Sequence, residues 1–506
     1  MLKHALLALA VFVAPLAASA QTAIHIDRNA PTGTIQPEIY GQFVEHLGSQ
    51  IYDGIWVGPD SDIPNTDGIR NDVFAALDAL DIPVIRWPGG CFADEYHWRD
   101  GIGPERTPRV NMSWGETPEP NSFGTHEFFD LAERLGAKTY LNVNLGSGSV
   151  REAAEWLEYI SSASNSALAQ ERRANGRDKP WHVDYLSIGN ETWGCGGNMR
   201  PEYYADLYLQ WATLIKIPGE QPYRILSGSN DTNPEYSAQL LRHPQMGWAA
   251  DAVSLHYYTL PTGDWSTKGP ATGFGEAQWI STIANALKIE PIIERQLAAN
   301  DAAAGDDPPA LAVDEWGMWV DGEPGDPALY QQNGIRDAIV AALHLNVFHA
   351  HADRIAMTNI AQMVNVLQAM ILTDGPRMVL TPTYHVYAMY RPFQGAAALP
   401  VSLESPEYRL GNSSVPALSA SAAIPADGGL VVALINADAH ADHAVTLDVG
   451  SGRLVSARVL AGDAMDAHNS FEAPDAVSPR PIDVARKGSE ASLRLPPRSV
   501  TVLRFE

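Results

Sequence analysis

The sequence predicts an α/β fold: a closed eight-stranded parallel barrel of repeated strand–helix units, followed by an antiparallel β-sandwich. Three observations predict it. Apolar β-rich runs alternate with stretches of helical length between residues 37 and 390, as strand–helix–strand units on a parallel sheet do. Eight strand candidates fall in that span, at 38–43, 83–87, 139–145, 183–188, 224–228, 252–256, 310–313 and 354–359, the number that closes such a barrel. Past Arg391-Pro392 the chain changes to short alternating runs, among them 430–435, 443–449, 454–460 and 500–505, separated by Gly, Pro, Asp and Asn. That is the pattern of a sandwich.

Taken in order, residues 1–20 carry Lys3 and His4, an apolar stretch over 5–14 and the small triplet Ala18-Ser19-Ala20 before Gln21. They read as a cleaved secretory signal and predict a secreted or periplasmic protein. No later uncharged apolar run approaches the ~18 residues that span a bilayer. Residues 23–27 alternate, so the segment 21–36 is expected to add a strand to the sandwich. Residues 37–390 form the barrel, with helices expected over 71–80, 125–135, 151–165, 201–215, 277–300 and 330–349. In the last of these Ile335, Ile339, Ala342, Leu343 and Val347 mark one buried face. Residues 391–506 form the sandwich.

Composition narrows the partners. The 506 residues carry a formal charge of −26, from 34 basic and 60 acidic side chains, which repels nucleic acid and anionic membranes and suits a neutral ligand such as carbohydrate. Two cysteines, Cys91 and Cys195, exclude a disulfide-rich scaffold and a zinc ribbon. They could pair if their Cα atoms came within about 7 Å. His126-Glu127 lacks the second histidine of a zinc-protease helix, Gly146-Ser-Gly-Ser149 lacks the Gly-Lys of a phosphate loop, and no Gly-x-Ser-x-Gly elbow occurs. His349 and His351 read as a solvated helix end.

In a parallel barrel the loops after the strands build the active site, so polar residues that end apolar runs carry weight. The runs lead into Glu45-His46, Arg86 to Cys91, Asn190-Glu191, His256-Tyr-Tyr258 and Asp314-Glu315-Trp316, with Gln362 after the last. Glu191 and Glu315, on the fourth and seventh strands, suit cleavage of a glycosidic bond. One carboxyl gives a proton to the departing oxygen and the other opposes the oxocarbenium ion. Arg86, His256 and Tyr258 are candidate donors around the charged partner, and Asn190 would orient sugar hydroxyls. Trp114, Trp316 and Trp319 could offer faces to a sugar ring; Trp56, Trp156, Trp211 and Trp248 read as core. The chemistry needs neither cofactor nor metal.

The chain resembles glycoside hydrolase family 51 over nearly its whole length past the leading segment. The resemblance is carried by Tyr40-Gly-Gln-Phe-Val-Glu-His-Leu-Gly48, Ile85-Arg-Trp-Pro-Gly-Gly-Cys-Phe-Ala-Asp94, Trp98-Arg-Asp-Gly-Ile-Gly-Pro104, Gly189-Asn-Glu-Thr-Trp-Gly194, Asp314-Glu-Trp-Gly-Met-Trp319 and Ala361-Gln-Met-Val-Asn-Val366. It implies a TIM barrel with a jelly-roll-like sandwich, and a retaining α-L-arabinofuranosidase with Glu191 as acid/base and Glu315 as nucleophile. It also implies Glu45, Cys91, Trp114, Asn190, His256, Tyr258, Trp319 and Gln362 around the sugar, and a homo-oligomer. Many members have Asn where this chain has Cys91, and a Cys91–Cys195 bond would make that position structural. The alternatives are a related barrel endoglucanase or xylosidase, or a carbohydrate-binding protein without catalysis.

Overall fold

The computed structural model describes residues 21–506; the expected signal over 1–20 lies outside them. The eight expected strands are β1 (Gly41–Phe43), β2 (Val84–Trp87), β3 (Lys138–Val143), β4 (Tyr185–Ile188), β5 (Tyr223–Leu226), β6 (Ala252–Thr259), β7 (Ala310–Met318) and β8 (Ile355–Ile360). They pair in parallel in chain order and close where Asn359 and Ile360 of β8 meet Gly41 and Gln42 of β1. The lower interior is filled by Val84, Tyr140, Ile225, Ala252, Ala312 and Met357. The barrel is thus a packed core whose chemistry is confined to the rim.

Several elements differ from the expectation. The first run begins as a 3-10 turn, Pro37–Tyr40, because Pro37 favours a helical start over a ladder donor. The helix expected over 277–300 is two helices, Glu276–Ala286 and Ile289–Ala304, and 151–165 holds Val150–Ser161 before a break. Helices Pro234–Leu241 and Pro382–Tyr390, each opened by a proline at its first turn, complete the outer ring; their eight and nine residues are too short for periodicity to mark. Trp248 is 54% exposed, not core. It sits on a 3-10 turn with the Arg224 guanidinium 5.8 Å from its ring.

The sandwich has a five-stranded and a seven-stranded sheet. Thr22–Ile26 joins the former, antiparallel to Val401–Leu403 but parallel to His443–Asp448, so the sandwich is not purely antiparallel. The helix Ile335–Ala350 is buried on every side rather than on one face, because the strands Leu418–Ile424, Leu430–Asn436 and Ser499–Phe505 cover the side turned away from the barrel. His349 is correspondingly buried, not solvated. It bonds Tyr40 Oη at 2.8 Å and Ser421 Oγ at 2.9 Å, tying the entry to β1 to the sandwich, and burial depresses it to about 3, leaving the ring neutral.

Candidate active site

Glu315 lies within a strand, not at the end of one. β7 runs on to Met318, and its pairing slips by one residue against both neighbours. Ser254 and His256 of β6 face Ala312 and Glu315, while Thr358 and Ile360 of β8 face Val313 and Trp316. One extra residue in β7 accounts for both shifts. Side chains along a regular strand alternate between its faces; a bulge interrupts the alternation. Two consecutive acids, Asp314 and Glu315, thereby reach the same imidazole, His256, at 3.3 Å from Nε2 and 3.5 Å from Nδ1. His256 and Tyr258, two positions apart on β6, share a face, and Tyr258 Oη donates to Glu315 Oε1 at 2.9 Å.

Glu191 comes from the turn after β4, where its φ of +40° lies in the left-handed region. Asp94 supports that turn: it accepts the backbone N–H of Asn190 at 3.2 Å and those of Leu145 and Gly146, both at 2.8 Å. Glu191 Oε1 lies 2.8 Å from His256 Nδ1. Arg86 of β2 donates to Glu315 Oε2 at 3.0 Å, to the Asp314 carbonyl at 2.8 Å and to Asn190 Oδ1 at 2.5 Å. Oxygen atoms of Glu191 and Glu315 and a nitrogen of His256 all fall within 4.8 Å of one another.

Of the ten site residues expected from the sequence, seven line one cavity of about 530 Å³: Cys91, Trp114, Glu191, His256, Tyr258, Glu315 and Trp319. The other three hold groups that line it or pair with them. Gln362 Nε2 and Trp114 Nε1 each donate to Glu45 at 3.0 Å, and Asn190 braces the Arg86 that pairs with Glu315. Glu45 also accepts the N–H groups of Gly90 and Phe92. Burial, reinforced by the charge on Glu315, raises its pKa to about 7 against these donors. Trp316 is not on the cavity wall but fully buried behind it.

Cys91 is corrected in one respect. Its sulfur is bonded to that of Cys195, with Cα atoms 5.6 Å apart, so it meets the cavity as a disulfide and offers no thiol proton. The bridge joins the loops after β2 and β4, and the Cys195 sulfur stands 3.5 Å from Glu191 Oε2. The sequence reading left out Trp265, Trp193, Asp231 and Lys288, which line the same cavity. They sit in loops and helix ends with no periodic pattern to flag them.

A family model described as an alpha-L-arabinofuranosidase 1 domain matches residues 76–293, and one described as an alpha-L-arabinofuranosidase C-terminal domain matches residues 314–499. A relative from Bacteroides ovatus, an intracellular exo-alpha-L-arabinofuranosidase, is 46% identical over 99% of both chains. Probable alpha-L-arabinofuranosidase C of Aspergillus flavus is 33% identical over 88% of this chain and 90% of its own. The crystal structure of the GH51 arabinofuranosidase from Xanthomonas axonopodis pv. citri superposes with a TM-score of 0.93 at 45% identity, over 96% of this chain and all of that one. The Bacteroides relative overturns the expectation of a secreted or periplasmic protein with a signal peptide. That reading rested on the composition of 1–20 alone, whereas the relative that matches over 99% of both lengths bears the name of an intracellular enzyme.

The glycines after β2 give the site a direct test. A Cβ on Gly90 would stand 2.9 Å from Glu315 Oε2 and 3.3 Å from the Phe43 ring, so a methyl there displaces the carboxylate from Arg86. Gly90→Ala is expected to lower kcat/KM by ~100-fold, as a misplacement of about 1 Å does, while thermal unfolding moves little; steady-state kinetics beside calorimetry checks it.

Proposed function

The chain belongs to glycoside hydrolase family 51, and on that premise we propose that it removes terminal α-L-arabinofuranosyl groups by a retaining double displacement in which Glu191 is the acid/base and Glu315 the nucleophile. The observation that supports these roles is the short gap between the two carboxylates across one imidazole, within 4.8 Å. Retaining glycosidases hold their carboxyls ~5–5.5 Å apart, whereas inverting ones leave ~6.5–9.5 Å for a water. Arg86 and Tyr258 each donate to one oxygen of Glu315, which fixes the direction of attack on the anomeric carbon. Glu191 protonates the departing oxygen, then takes a proton from the water that releases the sugar. Residues 37–390 carry this chemistry and residues 391–506 serve as the sandwich that covers the barrel.

The furanose occupies the inner cavity between the two carboxylates, with Trp114 and Trp319, ring centroids 6.5 Å apart, at its side. Glu45, Asn190 and Gln362 set the positions of these groups. The aglycone extends toward Trp265, which is 56% exposed and stands edge-on to Trp319 at 5.4 Å. Trp193, Asp231 and Lys288 edge the same volume, which lies in the size range that takes ligands larger than one ring. Oligosaccharides and side chains of arabinan or arabinoxylan fit this description. The rival readings, an endoglucanase, a xylosidase or a non-catalytic binder, lack comparable support: both carboxylates are in place, and the full-length relatives bear arabinofuranosidase names. Assembly into a homo-oligomer belongs to the same proposal, supported by Tyr203, Leu214 and Trp248, each more than half exposed.

Glu315→Ala is expected to abolish turnover of aryl α-L-arabinofuranosides, with azide restoring activity and giving product of inverted configuration; Glu191→Ala is expected to spare good leaving groups and impair poor ones by ~100-fold or more. Unchanged turnover in Glu315→Ala overturns the assignment. Trp265→Ala is expected to raise KM for arabinose-substituted xylo-oligosaccharides ~3–10-fold, the worth of one aromatic contact, and to leave kcat on an aryl arabinoside near that of the parent. Light scattering is expected to return a mass of two or more times the 54.8 kDa of one chain; the mass of a single chain overturns the oligomer.

A further inference from the structure

β7 supplies two acids in succession, and the reaction above uses only the second. Asp314 is 1% exposed. Tyr140 Oη donates to its Oδ2 at 2.6 Å, but its Oδ1 receives no hydrogen bond among the described residues. What that oxygen faces is His256 Nε2, at 3.3 Å. A buried carboxylate oxygen without a donor is costly unless a positive charge stands beside it. The opposite nitrogen, Nδ1, is 2.8 Å from Glu191 Oε1, so the imidazole is held between two carboxylates, one in the turn after β4 and one on β7.

The charged groups facing the ring are Glu191 from the end of β4, Asp314 and Glu315 from β7, and Arg86 from β2, which pairs with Glu315. Tyr258 lies on its own strand, and on the β5 side neutral Asn230 bridges to its backbone. Three carboxylates against one guanidinium favour a second cation. Burial alone would strip His256 of its charge, but Glu315, Asp314 and Glu191 together raise it to about 10. Asp314 is held well below the usual carboxylate range, against its own burial, by Arg86 and His256.

We propose that Asp314 is a positioning residue that keeps His256 an imidazolium throughout the cycle, so that Nδ1–H stays on Glu191 Oε1 and the transferable proton of Glu191 is confined to Oε2. The proposal rests on Glu191 being the acid/base. In the first step the Oε2–H bond breaks and its proton goes to the glycosidic oxygen; the anomeric carbon loses that oxygen and bonds to Glu315. In the second, water gives a proton to Oε2 as its oxygen displaces Glu315. His256 keeps both ring protons in each step. Without the charge on Asp314 the ring gives up its proton at lower pH, and where it is neutral Nδ1 accepts rather than donates and the proton of Glu191 is drawn to Oε1, away from the leaving group.

Two measurements test this. In histidine-labelled protein, the ring resonance assigned to His256 by its loss in His256→Asn is expected to titrate near pH 10 in the unaltered chain and about two units lower in Asp314→Asn. In the same variant kcat/KM for an alkyl arabinofuranoside is expected to fall ~10-fold at about pH 9, where the ring of the unaltered chain is still charged and that of the variant is mostly not, while that for a dinitrophenyl arabinofuranoside stays within about threefold, because the latter leaves without protonation. A His256 ring already neutral at pH 8 in the unaltered chain, or an equal loss on both substrates, overturns the proposal. Either result leaves the nucleophile assignment standing, since that is read separately from Glu315→Ala.

Discussion

One inserted residue in β7 sets the character of the site. It breaks the alternation of the strand so that Asp314 and Glu315 both reach the inner face, against His256 of the neighbouring strand. Two adjacent carboxylates in a dry barrel are unstable by themselves. At an effective dielectric of about 20, unit charges about 4 Å apart interact by about 4 kcal/mol, repulsive between the acids and attractive to each cation. Arg86 and His256 offset the repulsion, and losing one partner of such a buried cluster typically costs ~3–5 kcal/mol. The residues around Glu191 and Glu315 are therefore held in place by electrostatics within the chain itself.

That constraint reaches outward through the frame. Asn190 braces Arg86, Asp94 ties the loops after β3 and β4 through three backbone N–H groups, and the Cys91–Cys195 bond joins the loops after β2 and β4. The sandwich contributes from the opposite side. By covering the helix Ile335–Ala350 and engaging His349, it buries the element that follows β7 and holds the segment entering β1. The two parts of the chain thus share one core rather than sitting as independent units.

Much of this was legible in the residues. All eight barrel strands could be read from apolar runs, and Glu191 and Glu315 from acids that follow or end them, because strand burial and the placement of polar groups at a barrel rim are local rules. The short helices Pro234–Leu241 and Pro382–Tyr390 were not legible, since two turns give too little periodicity. Trp248 and His349 were misread in opposite directions. An isolated tryptophan or histidine carries no mark of what packs on it, and in each case a distant element decides.

The sequence by itself determined the barrel, the sandwich and the residue types at the rim, because each depends on spacing within one element. Only the tertiary structure decided that β7 bulges, that Asp314 faces His256, that Cys91 is bonded to Cys195 and that Trp265 edges the cavity. Those facts depend on register and on distance between residues far apart in the chain, and neither is encoded in any single stretch of it.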